Sequence, residues 1–236
     1  MSLTIGVLAL QGGFHEHLSL IHKASALLSS KYSVTINPLE VRTLEDLNRC
    51  DALIIPGGES TTISFVAQQS GLFEPLVDFI KIQKKPTWGT CAGLILLSEE
   101  ANATKKGGQA LLGGISVRVH RNHFGRQIES FESPLQLPFL SSSDQSSTNF
   151  PGIFIRAPVV EEVLSSDVEV LARLPGRVEK VKPAGLSEAQ TKDGAGDIIA
   201  VREGNVLGTS FHPELTEDAR IHVWWVEEIL RQKGLA

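Results

Sequence analysis

Residues 87–98 read Thr-Trp-Gly-Thr-Cys-Ala-Gly-Leu-Ile-Leu-Leu-Ser, and Cys91 stands between Gly89 and Gly93, each two positions away. Pro86 to Trp88 have the character of a buried strand end, and Leu94 to Leu97 that of a buried helix. A reactive side chain between strand and helix sits on a sharp turn at the top of a sheet. The helix N-terminus behind it favours a thiolate and offers backbone N–H groups to an anion. The glycines are expected because side chains beside the cysteine would collide with the turn or the substrate. This is the pattern of a cysteine nucleophile. A buried structural cysteine, packed as a small hydrophobe, is the competing account of Cys91 alone. A nucleophilic thiol needs a base, and the base needs an orienting group. His212-Pro213-Glu214 supplies both within three residues. Pro213 disfavours a helix, so the segment is expected to be extended, with residues 212 and 214 on one side. Taken without Cys91, the same three residues would read as a surface turn with a solvated glutamate.

The elements that must position these residues come next. Residues 4–10 form a nearly continuous apolar run, the mark of a strand buried on both faces, and Gln11-Gly12-Gly13 end it. Phe14, Leu18, Ile21, Ser25 and Leu28 then recur at helical spacing over 14–28. Strands are expected at 34–41 and 51–56, with a short helix over 44–49 between them. Gly57-Gly58-Glu59-Ser60-Thr61-Thr62 joins a backbone-exposing turn to helix-capping residues, ahead of Ile63, Val66 and Ala67. A further helix spans 73–82. Residues 1–100 thus alternate strand and helix, which predicts an open, doubly wound parallel sheet. Ligands of such sheets bind outside the carboxyl ends of the strands. Gln11-Gly12, Gly57-Gly58 and Cys91 all fall there.

From residue 111 the pattern changes. Strands are expected at 111–119, 127–132 and 152–156, the latter two antiparallel in a side layer, and at 168–174. Residues 197–201 and 205–211 read as a hairpin, and 221–230 as an amphipathic helix whose Trp224 and Trp225 belong to the core. Residues 141–147 form a polar low-complexity loop, and 176–196 a strand extension with a loop. His15, His17 and His22 share one predicted helix without metal-site spacing and receive no functional role. Arg118 to Arg126, with His120 and His123, offers arginine forks to an anionic group; a solvated charged loop fits the stretch equally.

The 236 residues carry 42% hydrophobic and 21% charged side chains, ordinary globular values. A net charge of -5 gives no electrostatic reason to expect nucleic acid. No apolar run approaches the ~20 residues of a membrane span. Two cysteines, Cys50 and Cys91, make no disulfide framework, and the N-terminus lacks a basic leader, so a cytoplasmic location is expected.

Six stretches together resemble the glutaminase subunits of pyridoxal 5′-phosphate synthase, a branch of the class I glutamine amidotransferases. They are Gly6–Gly12, Pro56–Thr61, Gly89–Leu94, Arg121–Gln127, Phe154–Pro158 and Ser210–Leu215, in family order over nearly the whole chain. The resemblance implies one α/β domain over 1–236, with a three-layer doubly wound, mainly parallel sheet, flanking helices and a small antiparallel side layer. It implies Cys91 as nucleophile with His212 and Glu214. It places glutamine on Gly58, Glu59, Ser60, Arg121, Ile155 and Arg156, and the oxyanion on N–H groups of Gln11, Gly12 and Ala92. No metal or cofactor is expected. The implied partner is a barrel-type, dodecameric synthase subunit that receives the ammonia. A silent docking subunit, or a glutaminase serving another acceptor, are the alternatives. His123 and the longer 141–149 and 176–196 segments depart from the family pattern.

Overall fold

The computed structural model describes residues 2–102, 109–121, 130–140, 149–174 and 196–236. The expectations at 123, 141–148 and 175–195, and most of those at 121–127, lie outside these residues.

The first hundred residues alternate as read. β1 (Ser2–Leu8), β2 (Thr35–Val41), β3 (Ala52–Ile55) and β4 (Thr87–Thr90) are joined through α1 (Phe14–Leu28), α2 (Leu44–Asn48), α3 (Ser60–Gln69) and α4 (Phe73–Val77). A π-helical turn, Asp78–Ile82, completes the segment expected to be one helix. α5 (Ala92–Leu97) follows β4. The later strands are β5 (Ser98–Asn102), β6 (Ile115–His120), β7 (Ser130–Gln136), β8 (Asn149–Ile155), β9 (Val159–Val163), β10 (Val168–Leu174), β11 (Asp197–Glu203) and β12 (Val206–Thr209). α6 (Arg220–Gln232) closes the described chain.

The main sheet runs β2-β1-β3-β4-β12-β11-β9-β6-β5, with β10 paired to β11. Its first five strands are mutually parallel. β11 turns antiparallel between β12 and β9, and β7 pairs antiparallel with β8 in a separate small sheet. The apolar strands bury both faces because successive side chains point opposite ways. Leu3, Ile5, Val7 and Ile54 join the α1/α6 core. Leu53 and Ile55 join the opposite core with α3, α4 and α5. Leu135, Phe150 and Phe154 extend the α1/α6 core into the small sheet, and Trp225 is buried there while Trp224 is partly buried against it. No described helix is long and apolar enough to cross a membrane.

Three expectations change. β6 begins at Ile115 rather than Leu111, because Gly113 and Gly114 take φ of +70° and +113°, outside strand geometry. β5 and β9 were not foreseen; the Ser-Glu-Glu-Ala-Asn of β5 has no apolar alternation and lies at the sheet edge. Pro213–Leu215 forms a 3₁₀ turn, not an extended segment. Proline's fixed φ suits the first position of a helical turn, where its missing N–H costs nothing.

Candidate active site

The carboxyl ends of β1, β3 and β4 converge, as the topology requires. Cys91 follows β4 at φ 48°, ψ -100°, a conformation that few side chains adopt. Its N–H donates to Thr209 O at the end of β12 (2.8 Å), which anchors the turn to the sheet. The flanking glycines serve close packing of main chain. A Cβ on Gly93 would lie 2.1 Å from Ile55 O, and one on Gly89 within 2.5 Å of Gly93 C and O. Those contacts press α5 onto β3 and β4. The glycines therefore meet the turn itself, as half of the expectation held.

His212 comes from the chain leaving β12, and its N–H donates to Ile153 O of β8 (2.8 Å). Its Nδ1 lies 2.7 Å from Glu214 Oε1. The 3₁₀ turn accomplishes what the extended geometry was meant to do. The imidazole is wedged against the Gly57 main chain: a Cβ there would sit 2.4 Å from His212 Cε1 and 3.3 Å from Glu214 Oε1. Gly57 is thus a site residue that the Gly57-Gly58 pair announced but that the sequence reading left without a role. Burial alone would push the His212 imidazole down, but Cys91 and Glu214 reverse this and raise it to about 10. Among the described residues, His212 Nε2 is buried without a hydrogen-bond partner. Cys91 lies beside the imidazole, close enough to raise its pKa. Cys91 is 6% exposed, and its Sγ lies 3.9 Å from Ile155 O.

The residues implied to hold glutamine gather around this point. Arg121 follows β6 and donates through Nη2 to Ser60 Oγ (2.9 Å), with Glu59 Oε1 at 3.6 Å from the same nitrogen. Ser60 Oγ in turn donates to Gln109 Oε1 (3.1 Å). Glu59 is the N-cap of α3 and accepts from Thr61 and Thr62 through N–H and hydroxyl. Partial burial would raise its pKa, but those hydrogen bonds hold the carboxyl down at about 2. Gln11 Oε1 accepts from Glu59 N (2.8 Å), and Gly58 packs on the same oxygen. Gly12, at φ +99°, leaves no room for a side chain: a Cβ would lie 1.9 Å from Gly57 O. Ala92 is the first residue of α5. Among the described residues no hydrogen bond engages the N–H of Gln11, Gly12 or Ala92. Ile155 ends β8 with its carbonyl oxygen beside Cys91 Sγ, and Arg156 follows at φ 43°. Arg118, a candidate anion fork, is instead paired with Glu100 (2.7 Å) and Glu162.

Two site neighbours escaped the sequence reading. His17, given no role, is fully buried, with Nε2 3.1 Å from Thr90 Oγ1 and 3.4 Å from Glu214 Oε2. His222 is equally buried and lies 2.9 Å from His17 Nδ1. The signal was present. His17 shares the helical spacing of Leu20, Ile21, Ala24 and Leu28, the buried face of α1, whereas Phe14 and Leu18 of the expected face are only partly buried. His222 shares the buried face of α6 with Ile221, Trp225, Val226 and Ile229. His15 and His22 are exposed.

With this geometry in place, comparison with known proteins adds relatives. Residues 7–231 match the SNO glutamine amidotransferase family. A probable pyridoxal 5′-phosphate synthase subunit of Arabidopsis thaliana is 43% identical over 95% of this chain and 85% of its own length. A pyridoxal 5′-phosphate synthase subunit of Thermococcus onnurineus is 40% identical, covering 97% of this chain and 100% of that protein. A solved structure, the crystal structure of a glutamine amidotransferase, superposes with a TM-score of 0.72 at 39% identity over 98% of both chains.

Proposed function

The chain belongs to the SNO glutamine amidotransferase family and is a glutaminase subunit of pyridoxal 5′-phosphate synthase, and we propose that Cys91, His212 and Glu214 carry its chemistry. The observation that supports the triad most is the pairing of a buried cysteine on a positive-φ turn with an imidazole whose far nitrogen is held by a carboxylate at 2.7 Å.

The steps follow from these atoms. With the proton of Cys91 held by His212, the sulfur attacks the side-chain amide carbon of glutamine. The carbonyl oxygen becomes an oxyanion facing the N–H groups of Gln11, Gly12 and Ala92, each such donor being worth a few kcal/mol. The C–N bond breaks as His212 returns its proton to the leaving nitrogen, and ammonia departs, leaving a glutamyl thioester on Cys91. Water, deprotonated by His212, attacks the thioester; the sulfur leaves and glutamate is released. The cap-and-fork cluster of Gly58, Glu59, Ser60 and Arg121, in which Ser60 is buried and the Glu59 carboxylate is open to solvent, fits, together with Ile155 and Arg156, the charged end of an amino acid.

Ammonia is readily protonated in water, so its value to a synthase depends on direct transfer. The partner we assign is the synthase subunit, in the barrel-type dodecameric form that the family resemblance implies. A single domain over 1–236 and a cytoplasmic site, where reducing conditions keep Cys91 a thiol, complete the reading. The test is glutamate release from glutamine with and without the cognate synthase subunit, for wild type and Cys91→Ala. Hydrolysis that the partner stimulates and the substitution abolishes is the expected result. Folded, partner-bound protein with no hydrolysis would overturn it.

A further inference from the structure

Glu214 orients His212 through one oxygen only. Its side chain is 1% exposed, Oε1 faces His212 Nδ1, and Oε2 is buried without a hydrogen-bond partner among the described residues. A buried carboxylate oxygen left unpaired is costly, by roughly 1–3 kcal/mol or more. The nitrogen facing it is His17 Nε2, at 3.4 Å, and that nitrogen also lies 3.1 Å from the hydroxyl of Thr90, the residue before Cys91.

We propose, resting on the glutaminase reading, that His17 is a positioning residue whose Nε2–H, shared between Thr90 Oγ1 and Glu214 Oε2, holds the carboxylate that orients His212. Proton bookkeeping along the chain of rings supports this. If Nε2 of His17 carries the hydrogen, Nδ1 is an acceptor, and His222 Nε2–H donates to it across 2.9 Å. His222 Nδ1 is then a bare lone pair, and it is the ring atom found buried without a partner. The opposite assignment directs a His17 lone pair at the carboxylate and strands a buried N–H on His222. Orphaned donors are rarer in folded proteins than under-satisfied acceptors. Burial, with His222 and His212 nearby, keeps the His17 ring well below its ordinary pKa, and burial takes His222 down to about 3, so both rings are neutral at physiological pH. Each then has one donor and one acceptor, as the chain needs. His17 and His222 come from α1 and α6, so the two helices meet at the acid that orients the base. The 3.4 Å approach is of the kind that shortens when a site fills with its reacting ligand.

Two substitutions separate this role from a purely structural one. His17→Gln puts an amide nitrogen near the place of Nε2, within reach of Glu214 and Thr90. His17→Asn puts one near the place of Nδ1, within reach of His222 only. In the complex with the synthase subunit, the Gln variant should keep kcat within about threefold of wild type. The Asn variant should lose about 10- to 100-fold in kcat at nearly unchanged KM, the scale of a lost hydrogen bond to a charged group. Asn performing as well as Gln would overturn the proposal and leave His17 as a link between helices. Nitrogen NMR of the wild-type protein gives an independent reading that needs no variant to fold: the Nε2–H tautomer of His17 supports the proposal, and the Nδ1–H tautomer overturns it. Failure of wild type itself to hydrolyse glutamine would sink the glutaminase reading instead, and the tautomer would still judge His17.

Discussion

At the scale of single residues, His212 concentrates the electrostatics of the site. Burial lowers its pKa, and Cys91 with Glu214 overcome that and take it to about 10. Glu214→Gln keeps the shape and a hydrogen-bonding group but removes the charge. The imidazole should then titrate lower, and kcat should fall by about 10- to 100-fold, in line with roughly 1.5–3 kcal/mol for a hydrogen bond to a charged group. Titrating His212 by NMR in wild type and variant checks the first claim, and steady-state kinetics the second. An unchanged titration would mean that Cys91 alone sustains the shift. Arg121 carries a separate expectation. It is 14% exposed and forks toward Ser60 and Glu59, so Arg121→Ala should raise KM for glutamine at least tenfold, the loss expected when a charged hydrogen bond of more than about 1.4 kcal/mol is removed, while the protein stays folded. Unchanged KM would remove Arg121 from the glutamine site.

At the scale of elements, the glycine turn and its helix act as one part. Gly93→Ala would place a methyl 2.1 Å from Ile55 O, a main-chain atom that cannot rotate away. α5 must then lift from β3, and the turn that carries Cys91 moves with it. Overpacking of this kind costs about 1–3 kcal/mol, so a lowered urea midpoint together with lost activity is expected, even though Gly93 bears no side chain. Thr43→Ala is the contrast. It breaks the capping box of α2, in which Thr43 and Asp46 satisfy each other's backbone donors, and should cost about 1 kcal/mol with activity intact. These elements also show what the sequence could and could not disclose. The alternation of apolar strand and amphipathic helix over 1–100 was legible because β3 and β4 are buried on both faces, β1 nearly so, and glycine pairs mark the turns after β1 and β3. β5 was not, because an edge strand of Ser, Glu and Asn leaves no periodic trace. The Cys91 and His212-Pro213-Glu214 pairing was legible from residue type, although the backbone joining them is a 3₁₀ turn. The spacing of His17 and His222 marks them as buried but not as neighbours of the site, since only the fold brings positions 205 residues apart within 2.9 Å.

At the scale of the molecule, that long-range pairing ties the stability of the fold to the integrity of the site. His17 and His222 are buried neutral, with His222 at about 3 and His17 also well below its ordinary value. In the unfolded chain both would titrate near 6.5. Below that pH the unfolded chain binds protons that the folded one refuses, so stability rises with pH and is lost as pH falls from about 6.5 toward 3. His212 acts in the opposite sense. Its raised pKa contributes stability that is full below about 6.5 and is lost as pH climbs toward about 10. The two effects place the greatest contribution of these three groups near pH 6.5. His222→Gln removes one of the two acid-side groups and keeps an amide able to donate to His17. The variant's unfolding free energy should therefore depend less steeply on pH between about 6 and 4, by about 1.4 kcal/mol per pH unit. Urea titrations at several pH values measure that slope. Parallel curves for wild type and variant would show that His222 is protonated inside the fold, and the neutral chain of rings behind Glu214 would have to be redrawn. A flatter curve, with acid loss of activity and of folding coinciding in wild type, would show that α1 and α6 are held together by the same uncharged pair that backs the triad.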